Sequence, residues 1–206
     1  MTDNYKTIKA PNTPVLFKDR GSKFYGYAFP MAQVDELPAL IEGLKKEHHS
    51  ARHWCYAYQL GTSGNVYRVN DDGEPANSAG QPIYGQIQAF ELTDVLVVVV
   101  RYFGGTKLGV GGLINAYRTA AKMALEACEV ETRFVEVEFK VRSPYNMLGR
   151  VMRLISDFNI NIKNQESTRD VLLHLSVRAS KLEIVQKKLT ELYPVEFIPT
   201  KSEKEN

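Results

Sequence analysis

The sequence predicts an α+β protein built from two domains, residues 1–134 and 135–206. Strand-like and helix-like hydrophobic patterns alternate along the chain, which indicates mixed secondary structure. The pattern restarts near residue 135 with an alternating apolar and polar strand, and no flexible linker precedes it. A chain of 206 residues with 44% hydrophobic content also has enough apolar side chains for two small cores.

The first domain is predicted to follow the order βαββαβα. Aromatic and β-branched runs mark its strands, and apolar residues at helical spacing mark its helices. The run VLVVVV, residues 95–100, is apolar on both faces, so it predicts a central strand covered on both sides. The predicted strands are 24–29, 54–60, 66–69 and 95–100, and the predicted helices are 34–48, 83–90 and 113–127.

The second domain is predicted to follow the order βαββαβ, which is that of a ferredoxin-like unit. Its first helix is expected to begin at Ser143 and Pro144, because serine suits a helix cap and proline suits the first turn. The predicted strands are 135–141, 160–168, 171–177 and 195–198, and the predicted helices are 143–158 and 182–192.

Charge, cysteine content and hydropathy limit the kinds of protein that this sequence can encode. Lysine and arginine number 26 against 24 acidic residues, so any nucleic-acid footprint must be local. The two cysteines form no C-x-x-C pair, which is typical of a reducing compartment. The N-terminus is polar and no apolar run is long enough to span a bilayer, so we expect a cytoplasmic protein without a membrane partner.

A glycine-rich segment connects the predicted central strand to the long helix after it. Its sequence, RYFGGTKLGVGGLINAYRTAA, covers residues 101–121. Glycine permits positive φ and close backbone approach, and the first turn of a helix presents unpaired N–H groups. Cations beside those groups would favour an anion or a nucleic-acid phosphate. The candidate binding residues are Arg101, Gly104, Gly105, Lys107, Gly109, Gly111, Gly112 and Arg118.

A second interpretation of the glycine-rich segment is structural: the glycines allow a tight crossover and the cations are solvated. Neither the phosphate-binding order G-x-x-x-x-G-K-[ST] nor the dinucleotide-binding spacing G-x-G-x-x-G is present. The sequence therefore predicts no bound cofactor, and both interpretations of the segment stay open.

The loop DDGEPANSAGQPI carries three carboxylates, Asp71, Asp72 and Glu74. Their oxygens would suit a hard cation such as Mg²⁺. Asp-Gly and Glu-Pro also form turns, and polar residues are expected before a helix, so we favour the structural interpretation. We expect this loop to lie beside the glycine-rich segment. Lys23, His53, Asp72 and Glu74 are then predicted neighbours of the binding residues on one surface.

Two further patterns are interpreted as structural. His49 and His53 are spaced i, i+4, which on a helix would suit zinc, but no third ligand accompanies them. Cys55 alternates with large aromatic residues in a predicted strand, where a small inert thiol is expected. We therefore predict no metal site and no cysteine nucleophile.

Four motifs together closely resemble those of the YigZ/IMPACT family: GSKF, ARHWCYAY, DDGEPANSAGQPI and the glycine-rich segment. The resemblance covers most of the first domain, and the second domain is similar to that of the bacterial members. It implies a left-handed βαβ first domain, shared with a small-subunit ribosomal protein and domain IV of elongation factor G. It also implies a second domain similar to domain V of that factor, and no catalytic residue.

The resemblance and the residues lead to two hypotheses. Eukaryotic members of the family look like regulators of translation, so the first hypothesis is a non-enzymatic module that docks on RNA, the ribosome or a ribosome-associated protein through the glycine-rich segment. The second is a phosphate-ligand or nucleotide-binding enzyme that uses the same segment, with Asp72 or Glu74 holding Mg²⁺ or acting as a base. The absence of a complete nucleotide motif favours the first hypothesis.

Overall fold

The computed structural model describes residues 3–200, which form two compact units. One unit comprises Tyr5–Arg133, and the other comprises 134–200 together with residues 3 and 4. Both units combine helices with strands, as predicted. No helix within the described residues has the length and hydropathy needed to cross a membrane.

The first unit contains every strand and helix predicted for it, together with three short strands that the sequence did not reveal. The additional strands, β1, β2 and β7, lie at the two ends of the unit and have polar or mixed sequences. In chain order the elements are β1 (Asn4–Ile8), β2 (Val15–Asp19), β3 (Ser22–Pro30), α1 (Leu37–Glu47), β4 (His53–Leu60), β5 (Val66–Asn70), α2 (Gly80–Ala89), β6 (Val95–Tyr102), α3 (Gly109–Glu126) and β7 (Val130–Phe134).

Five of these strands form one antiparallel sheet in the order β2-β3-β6-β4-β5, while β1 pairs with β7 separately. β6 is the central strand, as its apolar run predicts. Its alternate residues, Val97 and Val99 against Val98 and Val100, enter two different cores, and all four are fully buried. Helices α2 and α3 cover one face of the sheet and α1 covers the other.

The second unit has the predicted βαββαβ order. Its antiparallel sheet has the strand order β11-β8-β10-β9. Alternate residues of β8 and β10, such as Val141 and Leu173, pack with the two helices in one core. The elements are β8 (Glu136–Ser143), α4 (Leu148–Phe158), β9 (Asn161–Ser167), β10 (Val171–Arg178), α5 (Leu182–Thr190) and β11 (Glu196–Pro199).

The predicted start of α4 is wrong by five residues. The Ser143 hydroxyl donates to the carbonyl of Pro144 at 3.0 Å, so it does not cap a helix. Pro144 is extended, with ψ 151°, and a 3-10 turn at Tyr145–Met147 separates it from the α-helix. Serine therefore satisfies its hydroxyl locally, as its side chain does readily in turns.

Candidate functional site

An open cleft of about 330 Å³ lies where β6 leads into α3. The segment between this strand and this helix forms one wall, and the loop that follows β5 forms the other. The structure thus brings the glycine-rich segment and the acidic loop together at one surface. The lining residues are Glu74, Pro75, Arg101, Phe103, Lys107, Leu108, Gly109, Val110 and Leu113.

Glycine is required at some positions of the segment and not at others, for different structural reasons. Gly104 packs against the β2–β3 turn, and a Cβ built there would lie 1.9 Å from the carbonyl carbon of Gly21. Gly105 and Gly109 have φ values of +88° and +72°, which side-chain-bearing residues rarely adopt. At Gly111 a Cβ would meet no atom within 4 Å, so neither packing nor backbone conformation requires glycine at that position.

The N-terminus of α3 is open. Its N-cap residue is Leu108, no side chain caps it, and its first turn contains no acidic residue. The first N–H groups of a helix have no partner within the helix and carry a partial positive charge. The exposed Lys107 immediately precedes this turn, so a cation and several peptide donors meet at one edge of the cleft. Such an arrangement is suited to an anion.

The N-terminus of α2, by contrast, is closed by a carboxylate of the acidic loop. Asp71 accepts hydrogen bonds from the N–H groups of Asn77, Ala79 and Gly80 at 2.8, 2.9 and 2.8 Å. The loop thus has a structural role, as we favoured, but the acceptor is Asp71 and not one of the residues directly before the helix.

Arg101 does not present its charge to solvent, in contrast to our expectation of a phosphate contact. Its Nη1 lies 2.6 Å from Glu74 Oε1, and the two side chains are 6% and 4% exposed. The Glu74 carboxylate therefore neutralises the guanidinium inside the cleft. Sequence reasoning placed both residues near the site but could not pair them, because 27 positions separate them along the chain.

Two aromatic rings and an unpaired donor complete the surroundings of Arg101. Its guanidinium carbon lies 5.5 Å from the ring centre of Phe24 and 5.6 Å from that of Phe103. Its Nη2 contacts the buried Ser22 hydroxyl at 3.5 Å. Its Nε–H has no hydrogen-bond acceptor among the described residues. This nitrogen has no exposed surface, so its missing hydrogen bond is a cost to the fold and not an open contact for a ligand.

A buried polar chain continues from Glu74 into the core. The hydroxyl of Tyr117 on α3 donates to Glu74 Oε1 at 2.8 Å, and Cys55 Sγ lies 3.3 Å from that hydroxyl. Burial raises the pKa of the Tyr117 phenol and of the Cys55 thiol, so both stay protonated at neutral pH. Sequence reasoning missed this connection, because it used the apolar spacing of residues 113–127 only to predict a helix.

Three predicted neighbours are in the acidic loop or opposite it. His53 is the direct cross-strand partner of Arg101, and its Nδ1 lies 2.8 Å from the carbonyl oxygen of Asp72. The Asp72 carboxylate accepts the backbone N–H of Trp54 at 2.7 Å, so it ties the loop to β4. Glu74 alone of these three lines the cleft.

Two predicted positions lie away from the cleft and are corrected. Lys23 follows the strand alternation that places Phe24 in the α2–α3 core, so its side chain lies on the opposite face of the sheet, with Tyr25. Arg118 is exposed on α3, nine residues after Gly109 and about 14 Å along the helix axis. Neither residue lines the cleft.

The structure separates His49 from His53. His49 follows the end of α1 while His53 begins β4, so the two do not share a helical face. Within residues 3–200 no group of three or more His, Cys, Asp or Glu side chains is arranged to hold a metal ion.

These features define a two-unit protein of mixed helices and strands whose candidate site is a cleft beside an uncapped helix. The Impact N-terminal domain family matches residues 20–125, and a domain of unknown function, DUF1949, matches residues 141–193. An IMPACT family member of Haemophilus influenzae is 32% identical over 185 residues, which are 88% of this chain and 90% of that protein. The chain belongs to the IMPACT family.

Two further proteins match over a similar length of this chain. The IMPACT family member YigZ of Escherichia coli is 30% identical over 186 residues, covering 89% of this chain and 91% of that protein. A crystal structure described as that of a hypothetical protein superposes with a TM-score of 0.76 at 27% identity, covering 98% of this chain and all of that one. The similarity therefore includes both units.

Proposed function

We propose that this protein is a non-enzymatic binding module linked to translation, which docks on RNA through the segment between β6 and α3. The open N-terminus of α3 beside Lys107 carries this proposal. A phosphate placed there would accept hydrogen bonds from the peptide N–H groups and would be attracted by the lysine and by the helix dipole. RNA of the ribosome is the partner that the resemblance favours, and a ribosome-associated protein is the alternative.

The acidic residues of the site support binding rather than catalysis. Asp72 and Glu74 are the groups that an enzyme would use to hold Mg²⁺ or to act as a base. Asp72 accepts the backbone N–H of Trp54, and Glu74 accepts from Arg101 and Tyr117. An enzyme that binds free nucleotides predicts a rise in Tm with millimolar nucleotide that depends on Mg²⁺, whereas the binding module predicts no dependence on Mg²⁺.

The finer fold assignments are part of the same proposal. We infer a left-handed βαβ arrangement in the first unit from the family resemblance. For the second unit, the βαββαβ order and the strand order β11-β8-β10-β9 support a ferredoxin-like assignment. A cytoplasmic location, where ribosomes are found, accords with two free cysteines, Cys55 and Cys128.

The test is binding to single-stranded RNA and co-sedimentation with ribosomes from about 50 to 200 mM salt. We expect the affinity to fall with salt, and Lys107→Ala to lower the slope of log K against log salt by about 0.7, the value for one phosphate contact. Lys18→Ala is the matched control, since it removes an exposed lysine from the opposite face of the same sheet.

Two results would contradict the proposal. Binding that does not change with salt would exclude phosphate contacts. Equal losses in Lys107→Ala and Lys18→Ala would show that RNA responds to the overall charge of the unit and does not dock at this segment.

A further inference from the structure

We propose that the cleft holds one unstacked base of single-stranded RNA, while the adjoining phosphate lies on the open N-terminus of α3. This inference rests on the proposed function and names the part of the ligand that enters the cleft. It divides the site into a charged edge, formed by Lys107 and the first turn of α3, and an interior lined by Glu74, Arg101 and Phe103.

The interior of the cleft is electrically balanced, which makes it unsuitable for a phosphate. Arg101 and Glu74 form a buried ion pair at 2.6 Å, so their charges compensate each other. Of the cations that line the cleft, only Lys107 has no ion-pair partner among the described residues, and it lies beside the helix start. A phosphate is therefore drawn to the edge, and the interior suits an uncharged group.

The walls of the cleft suit a flat apolar surface. Phe103 is 56% exposed and Val110 is 53% exposed, although both are large hydrophobic residues beside a concave site. Leu108, Leu113 and Pro75 extend this apolar lining. An exposed aromatic ring next to a phosphate site is the combination with which proteins bind single-stranded nucleic acids, because every base offers a π-face for stacking.

The interior of the cleft also offers a hydrogen-bond acceptor to a base. Glu74 receives both of its hydrogen bonds, from Arg101 and Tyr117, on Oε1, which leaves Oε2 as an acceptor. All four RNA bases carry a donor on their pairing edge, so this acceptor fits any of them. We therefore expect base-dependent binding with little sequence preference.

The experiment compares oligouridylate of about eight nucleotides with its fully abasic counterpart of equal length and equal phosphate number. Wild type should bind the abasic oligomer roughly 5- to 100-fold more weakly, with an unchanged salt slope. Phe103→Ala should lose a similar factor on oligouridylate and almost nothing more on the abasic oligomer. Phe103→Leu should resemble Phe103→Ala, since it keeps an apolar side chain but removes the aromatic face.

Lys107→Ala is the control variant. Lys107 contacts the phosphate and not the base, so the fold-losses of affinity from Lys107→Ala and from base removal should multiply. If Phe103 stacks on the base, removing both should cost no more affinity than removing one, because groups in contact give non-additive effects. If the fold-losses from base removal and from Phe103→Ala instead multiply, the inference is overturned. Equal affinity of wild type for both oligomers would also overturn it while the proposed phosphate docking stands.

Two other outcomes identify different failures. No binding of either oligomer would overturn both the inference and the proposed function. Uridine monophosphate should compete with the bound oligomer only at a higher concentration than unlabelled oligomer does. If the two compete equally well, the cleft binds a free nucleotide and not an RNA strand.

Discussion

Helices α2 and α3 pack on the same face of the five-stranded sheet and share one core, but their N-termini are finished differently. At α2 the Asp71 carboxylate accepts three backbone N–H groups. At α3 no side chain caps the first turn, and Lys107 precedes it. The chain thus supplies its own anion at the start of α2 and leaves the start of α3, where the cleft begins, without one.

Charge along the sequence reinforces this difference. Between Asp94 and Glu126 the chain contains no acidic residue. The loop before α2 has three acids, and all three are engaged: Asp71 with the helix, Asp72 with β4 and Glu74 with Arg101. The acids near the cleft thus serve the fold, while the start of α3 remains available to an external anion.

The largest expected effect comes from removing the acid that faces the open helix across the cleft. Glu74→Ala leaves the buried Arg101 without its counter-ion and should lower the free energy of unfolding by about 3–5 kcal/mol, measured by urea denaturation. Glu74→Gln, which keeps an acceptor for Tyr117, should cost less. A loss below about 1 kcal/mol would show that solvent screens the pair.

A smaller effect is expected from opening the closed helix. Asp71→Ala removes the cap of α2 and should cost about 1–2 kcal/mol in urea denaturation. Asp71→Asn keeps an oxygen acceptor and should cost less. RNA affinity should be unchanged in both variants, because the anion site belongs to α3. A gain of RNA binding in Asp71→Ala would mean that any uncapped helix on this face binds phosphate.

Two glycines of the first turn of α3 should give shifts of opposite sign, and the shift at Gly111 is the smallest that we expect. Gly111→Ala should raise the free energy of unfolding by about 0.5–1 kcal/mol, because a Cβ there meets open space in a helical backbone. Gly109→Ala should lower it by about 1–2 kcal/mol, since φ is +72°. Thermal unfolding of the two variants measures both shifts. Shifts of equal sign would contradict a positive φ at Gly109 and a helical backbone at Gly111.

The sequence predicted the elements well but the site only in outline. Periodicity locates β6 and both of its covered faces, because burial on alternate sides leaves a continuous apolar run. Glycine content locates the corner before α3. The pairing of Arg101 with Glu74 and the role of Asp71 depend on strand register and loop conformation, which no local pattern encodes. Lys23 was misplaced for the same reason, since one residue of strand alternation decides its face.

Gly111→Asp tests whether the start of α3 is an anion site. The substitution places a carboxylate in the first turn of α3, where it supplies internally the anion that the open terminus lacks and where the helix dipole favours it. Gly111→Ala is the matched control. We expect Gly111→Asp to keep or raise Tm yet to weaken salt-dependent RNA binding about tenfold or more, while Gly111→Ala binds as wild type. Equal RNA affinity in all three proteins would contradict an anion site at the start of α3.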